Sequence, residues 1–221
     1  MARYAGLVFP LVVGFDLDLT LIDSRPGIAA TYRALSTQTG VYIDADAAVT
    51  RLGPPLEEEL SRWFPPEEVP AAAALFRNLY PVTAITGSPA LPGVGDAPAH
   101  VRRRGGGVVV ITGKYAPNAH LHLDHIGFRA DSVAGWCWAE TKTAAMLELG
   151  VGVYVGDHPA DMAAARAAET VGGQRVYAVG VTTGDHSAED LLAAGAHTVL
   201  ENLTGLPDWL DANLGDPISV G

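Results

Sequence analysis

After residue 90 the chain alternates short, continuously apolar runs with Ala-rich stretches of helical length. A strand covered on both faces needs continuous apolar residues rather than alternating ones, and such strands belong to parallel sheets sandwiched by helices. Strands are predicted at 11–16, 107–112, 152–156 and 176–181, with a short one at 198–200 and a weaker one at 132–134. Helices are predicted between them at 96–104, 117–126, 141–149, 159–169 and 188–194. The expected fold class is α/β, a doubly wound, mostly parallel sheet.

The stretch 26–89 breaks this rhythm. It carries helical periodicity, Pro-rich breaks at Pro54-Pro55, Pro65-Pro66 and Pro70, and no convincing strand. Its position after the first strand predicts a small inserted α-helical cap over 26–89, with 1–25 and 90–221 forming the α/β core. An apolar content of 48% supports a real hydrophobic core, and an 18% charged fraction argues against disorder. The tail 206–221 reads as a frayed end with one amphipathic turn at Trp209-Leu210.

A net charge of −11 disfavours a nucleic-acid-binding or anionic-membrane surface. It leaves room for a small anionic substrate, because local cations override the global field. The single cysteine, Cys137, excludes an internal disulfide and fits a reducing compartment. Between Trp136 and Trp138 it reads as a packed thiol. No apolar run is long enough to cross a bilayer. The N-terminal apolar run over 5–15 reads as a buried first strand, so a cytoplasmic protein is expected. Oligomeric state is not readable.

Chemistry gathers at the strand ends. Val12-Val13-Gly14-Phe15 runs into Asp16-Leu17-Asp18-Leu19-Thr20, two carboxylates spaced i, i+2. On extended backbone that spacing puts both on one side, where like charges need a cation or a proton between them. Ligands bind open α/β sheets at the carboxyl ends of the strands. The pair therefore suggests a metal-assisted site with one carboxylate as nucleophile and one as acid/base.

Further strand ends supply partners. Thr112-Gly113 offers a hydroxyl and a glycine amide suited to a phosphoryl oxygen. Lys142 opens a helix, where a cation opposes the macrodipole unless an anion is near. Gly156-Asp157-His158-Pro159-Ala160-Asp161 places two acids one helical turn apart, one able to ligate a hard cation and one to orient its water. Mg²⁺ favours such a site, with few carboxylates and a substrate phosphate.

In this order the motifs resemble those of the haloacid dehalogenase superfamily of aspartate-nucleophile phosphohydrolases, most closely its phosphoglycolate-phosphatase-like branch with a helical C1-type cap. Asp16-Leu17-Asp18-Leu19-Thr20 resembles the first motif, Thr112 the second, Lys142 the third and 156–161 the fourth. The segment 51–56 resembles the cap's specificity segment, 91–94 the return to the core, and 180–184 and 194–197 the last strands. The resemblance implies a Rossmann-like core and Mg²⁺-dependent hydrolysis of a small phosphomonoester, phosphoglycolate-like or a sugar phosphate, through an aspartyl-phosphate. It implies Asp16 as nucleophile, Asp18 as acid/base, and Leu17, Asp18, Thr112, Gly113 and Lys142 around the phosphate. Mg²⁺ would sit on Asp16, the Asp18 carbonyl and Asp157, with Asp161 behind them, and Arg51, Gly53 and Pro54 would help select the substrate. Gly113 stands where the family often has Asn or Ser, Thr143 where it often has Pro, and Lys114 competes with Lys142 for the cationic role. The same core is compatible with a phosphomutase or a non-catalytic phospho-binding protein.

One motif points elsewhere. His120-Leu121-His122-Leu123-Asp124-His125 resembles the dinuclear-zinc signature of metallo-β-lactamase-fold hydrolases. The helical half before it and the strand ending at Thr112 oppose that fold. Helical spacing instead leaves the histidines mostly on an exposed face. Arg102-Arg103-Arg104 before three glycines reads as a helix stop. Glu57-Glu58-Glu59 reads as a solvated helix face, and Trp63, Phe64, Phe76 and Tyr80 as cap core, with room for one of them to line the pocket.

Overall fold

A computed structural model describes residues 11–215 and the strands β1 (Ala2–Tyr4) and β2 (Leu7–Phe9). β1 and β2 form an antiparallel pair of their own. The N-terminal apolar run is therefore not one strand. β3 (Val12–Phe15) starts at its end and leads into four helices, α1 (Arg25–Thr39), α2 (Ala45–Ala48), α3 (Leu56–Leu60) and α4 (Val69–Thr83). After α5 (Asp96–Arg103) and β4 (Gly107–Ile111), strands and helices alternate: α6 (Ala116–His125), β5 (Ser132–Ala134), α7 (Glu140–Glu148), β6 (Val153–Gly156), α8 (Pro159–Gly172), β7 (Tyr177–Val181), α9 (Ala188–Ala193), β8 (Thr198–Leu200) and α10 (Leu206–Leu214).

The main sheet has six strands in the order β5-β4-β3-β6-β7-β8, every neighbouring pair parallel. The chain fills one side of β3, then crosses to fill the other. β3 and β6 thus flank the switch point where open α/β sheets form their binding crevice.

The apolar strands alternate between two layers. Val13, Phe15, Val108, Val110, Val153 and Val155 face one layer, closed by Ala97 and Val101 of α5, Leu123 of α6 and Leu206 and Leu210 of α10. Val12, Val109, Ile111 and Tyr154 face the other, closed by Met146 of α7, Met162 and Ala165 of α8 and Leu191 of α9. Both faces are buried, which is why the strands read as continuous apolar runs. Each fully buried Val or Leu contributes roughly 1.5–3 kcal/mol.

The helices between β3 and β4 have a third core, in which Ile28, Tyr32, Leu35, Leu60, Phe64 and Phe76 are buried together. Pro70 does not break a helix here. It sits in the first turn of α4, where its missing N–H leaves no hydrogen bond unmade.

The C-terminal segment also differs from expectation. A 3₁₀ turn at Leu203–Gly205 leads into α10, whose Leu206 and Leu210 are fully buried. The Arg104 guanidinium donates to Asp211 and to the Gly215 carbonyl, and His100 Nε2 lies 2.9 Å from Asp211 Oδ1. These ties explain why the segment is helical rather than frayed, and they add a role to the arginine run at the end of α5. Residues 216–221 lie outside the described residues.

Candidate active site

β3 ends at Phe15, one residue earlier than the sequence suggests, although the Asp16 amide still donates to the Val155 carbonyl at 2.9 Å. The regular strand thus stops before the two acids, Asp18 bridging Ile22 across a turn at Leu19-Thr20. The Leu21 and Ile22 amides return to the Leu17 carbonyl at 2.9 and 3.1 Å, and Leu19 adopts φ +58°. A leucine in that region costs on the order of 1–3 kcal/mol and persists only where its surroundings impose it. Here Thr183 Oγ1 donates to the Leu19 carbonyl at 2.5 Å. Both acids still line one cavity, although a turn rather than continued strand follows Asp16.

Each acid has its own lysine. Lys142, in the first turn of α7, places Nζ 3.2 Å from Asp16 Oδ1 and 2.6 Å from Asp161 Oδ1. Lys114, on the loop after β4, places Nζ 2.9 Å from Asp18 Oδ1 and 2.7 Å from the Tyr80 hydroxyl. The competition between the two lysines resolves into a division.

Asp157 follows β6 and is buried, with Thr20 Oγ1 donating to its Oδ1 at 3.0 Å. The N-cap of α8 is His158, whose Nδ1 accepts from the Ala160 amide. Asp161 completes the capping box by accepting from the His158 amide at 3.2 Å. Asp157 and Asp161 are thereby turned inward. Thr112 ends β4 almost fully buried, its Oγ1 accepting from the Lys114 amide at 3.2 Å.

Asp16, Asp18, Thr112, Gly113, Lys142, Asp157 and Asp161 all line one cavity of about 170 Å³, which Arg51, Gly53 and Pro54 reach from the helical layer. Leu17 does not line it. Its side chain is buried in the sheet core.

Three buried carboxylates, the half-buried Asp18 and two lysines leave two negative charges uncompensated. Burial pushes Asp16 up to about 7 against the pull of Lys142, with Asp161 and Asp18 adding to the rise. Burial, then Asp16 and Asp161, holds Asp157 well above the usual carboxylate range. Burial also opposes ionisation of Asp18, but Lys114 prevails and keeps its carboxyl below that range. Asp16, Asp157 and Asp161 each offer an oxygen within 4.8 Å of the others. An all-oxygen, charge-deficient set of this kind suits a hard divalent cation.

Backbone makes room for it. A Cβ at Gly184 would lie 2.1 Å from Asp157 Oδ2, and one at Gly156 would lie 2.3 Å from Asp161 Oδ2. Gly184→Ala is expected to displace Asp157 and so to weaken any divalent cation held by these carboxylates roughly 10–100-fold, read by calorimetric titration with Mg²⁺. Unchanged affinity would show that Asp157 does not hold the ion.

The histidine motif does not converge. His120 and His125 are exposed on α6, whereas His122 is fully buried with Nε2 2.9 Å from the Tyr80 hydroxyl. Among the described residues, the Asp16–Asp157–Asp161 group is the one set of His, Cys, Asp and Glu side chains close enough to share an ion. His120 and His125 fall on the expected exposed face, whereas His122, at helical spacing from Ala119 and Ile126, turns under α4. Burial, then the Lys114 charge, pushes His122 down to about 4.

Below about pH 6.5 the unfolded chain takes up a proton on this histidine that the native state refuses. Its contribution to stability is therefore lost as pH falls from about 6.5 toward 4. Between pH 7 and 5 the wild type should lose about 2 kcal/mol relative to His122→Gln. Urea unfolding of both proteins at the two pH values measures this, and parallel losses would refute it.

The polar partners of two side chains escaped the sequence analysis. Tyr80 is not only apolar filling, since its hydroxyl joins Lys114 to His122. Glu59 is not solvated: it accepts from Arg51 Nε at 3.0 Å and Arg51 Nη2 at 2.5 Å, and Arg62 Nε lies 3.3 Å away. The alternation of apolar residues on α3 and α4 hinted at neither partner.

Comparison with known proteins bears on the family and the fold. Over 119 residues the chain is 32% identical to the tyrosine-protein kinase PtkA of Mycobacterium tuberculosis, a match covering 53% of this chain and 41% of that protein. The chain thus spans about two fifths of the length of the curated relatives it matches. A haloacid dehalogenase-like family protein from Streptococcus pneumoniae superimposes with a TM-score of 0.77 at 19% identity, covering 90% of this chain and 98% of that one. A predicted phosphoglycolate phosphatase from Haemophilus somnus gives 0.72 at 17% identity, covering 91% and 97%. The family model for haloacid dehalogenase-like hydrolases matches residues 11–169, a span from β3 into α8 that contains all four strand-end motifs, and the chain belongs to that family.

Proposed function

We propose that this hydrolase is an Mg²⁺-dependent phosphatase acting on a small phosphomonoester. The observation that carries the reading is the meeting of Asp16, Thr112, Lys142 and Asp157, from four chain segments, in one cavity at the switch point of the sheet. Phosphoglycolate and sugar phosphates are the substrates the family resemblance implies.

Asp16 attacks phosphorus in line, the bond to the leaving oxygen breaks, and an aspartyl-phosphate forms. Asp18, ionised beside Lys114 in the free protein, takes up the proton of the bound phosphomonoester monoanion, gives it to the leaving alkoxide, and later takes one from the water that cleaves the intermediate. Lys142 and the Thr112 hydroxyl stabilise charge on the transferring group. Asp16, the Asp18 carbonyl and Asp157 would hold Mg²⁺. Asp161, whose oxygens already accept from Lys142 and the His158 amide, would orient the ligands from behind. When bound, Mg²⁺ offsets the excess negative charge and polarises the phosphoryl oxygens.

A panel of phosphomonoesters assayed with Mg²⁺, and again after chelation, tests this reading. Turnover of at least one ester is expected with Mg²⁺, falling to background on chelation. Turnover that survives chelation, or that tracks bound Zn²⁺, would argue for different chemistry.

A further inference from the structure

The cavity is poor in free cations and rich in aromatic surface. Arg51 is held by both oxygens of Glu59. Arg77 Nη2 lies 2.6 Å from Glu57 Oε1, with its guanidinium 4.7 Å above the Trp136 ring. Lys114 and Lys142 are engaged by Asp18, Asp16 and Asp161. Every lysine and arginine lining the cavity is thus already paired with a carboxylate. Six Asp and Glu side chains line it against those four cations. A second anionic group on the substrate, such as the carboxylate of phosphoglycolate, would find no free partner and an unfavourable field.

Much of the remaining wall is made of rings, beside aliphatic side chains such as Ile28, Leu52 and Leu56. Tyr32, Phe76, Tyr115, Trp136, Trp138 and His158 all line the cavity. Trp136 is 53% exposed, stands edge-on to Tyr115 at 5.4 Å and adopts φ +60°, while Ala139 three residues on adopts φ +49°. Such backbone is strained and is retained where surroundings demand it. Trp138 stands edge-on to His158 at 5.3 Å, and a Cβ at Gly53 would lie 3.0 Å from its ring. One short loop thus presents two indoles to the cavity, and the segment at Gly53, where φ is +131°, closes over one of them.

We infer that the non-phosphate half of the substrate is an uncharged, ring-bearing alcohol, seated against Trp136 and Trp138 and excluded if it carries a carboxylate. This rests on the phosphatase reading above and narrows it to one substrate class.

Binding and turnover separate the two claims. Benzylphosphonate and phosphonoacetate, non-hydrolysable partners differing in ring against carboxylate, are titrated in Mg²⁺ by tryptophan fluorescence. Benzylphosphonate is expected to bind at least about tenfold tighter, an advantage that Trp138→Ala removes. Equal or tighter binding of phosphonoacetate by the wild type overturns the inference, whether or not the variant folds. Benzyl phosphate, phosphoglycolate and methyl phosphate are then assayed for phosphate release. Ring-selective binding with no release from any ester supports the ring site and overturns the phosphatase reading. Release that favours phosphoglycolate overturns the ring site and leaves the phosphatase reading standing.

Discussion

Asp16→Asn is expected to lower kcat by at least about 10³-fold while leaving the fold intact or slightly more stable. The catalytic loss follows from removing the one carboxylate that lies beside Lys142 at the end of β3 and can attack phosphorus. The stability expectation follows from its surroundings. Asp16 is buried among Asp18, Asp157 and Asp161, and its carboxyl is pushed up to about 7, so an amide relieves repulsion. Lys142 keeps its shorter contact, 2.6 Å to Asp161. A steady-state assay with differential scanning calorimetry reads both effects. Turnover close to that of the wild type would remove Asp16 from the role of nucleophile.

Lys142→Met should be costly in both respects. The lysine head is almost fully buried, and its two partners, Asp16 and Asp161, are buried with it. Removing one partner of a buried pair strands the remaining charge, typically at about 3–5 kcal/mol. Chemical unfolding without Mg²⁺ should show a loss of that order. Adding Asp161→Asn should recover part of it, because the two sites are directly coupled. Activity should fall with the single substitution, since among the described residues no other cation pairs with Asp16. A loss below about 1 kcal/mol would mean that the carboxylates protonate at little cost and that the lysine is not what holds them together.

The sheet was legible because buried parallel strands have a distinctive composition. Val108, Val109, Val110 and Ile111 could scarcely be anything but a strand covered on both faces, and β5 was visible even at three residues. The strand-end acids were legible for the same reason: an apolar run that stops in carboxylates marks the edge of a crevice. What stayed hidden depends on pairings across long sequence separation. Nothing local in Glu57-Glu58-Glu59 says that Glu59 will meet Arg51, nor does the spacing of α6 reveal that α4 brings Tyr80 onto His122. Gly184 was visible only as part of a strand-to-loop pattern, although its missing Cβ is what admits Asp157. The backbone after Phe15 was misjudged because a turn and a strand end share the same residues, and the φ of Leu19 is imposed by Thr183, far along the chain. α10 was mistaken for a frayed end because its anchors, Arg104 and His100, lie on another helix.

The most direct test of the account traps the bond it requires. The enzyme is mixed with a turned-over phosphomonoester in Mg²⁺, quenched, reduced with borohydride and digested for mass spectrometry. Reduction of an acyl phosphate on Asp16 leaves homoserine at that position, and this conversion is predicted at residue 16 and absent from Asp16→Asn. Robust phosphate release with an unmodified Asp16, or homoserine at Asp18 or Asp157 instead, would contradict it.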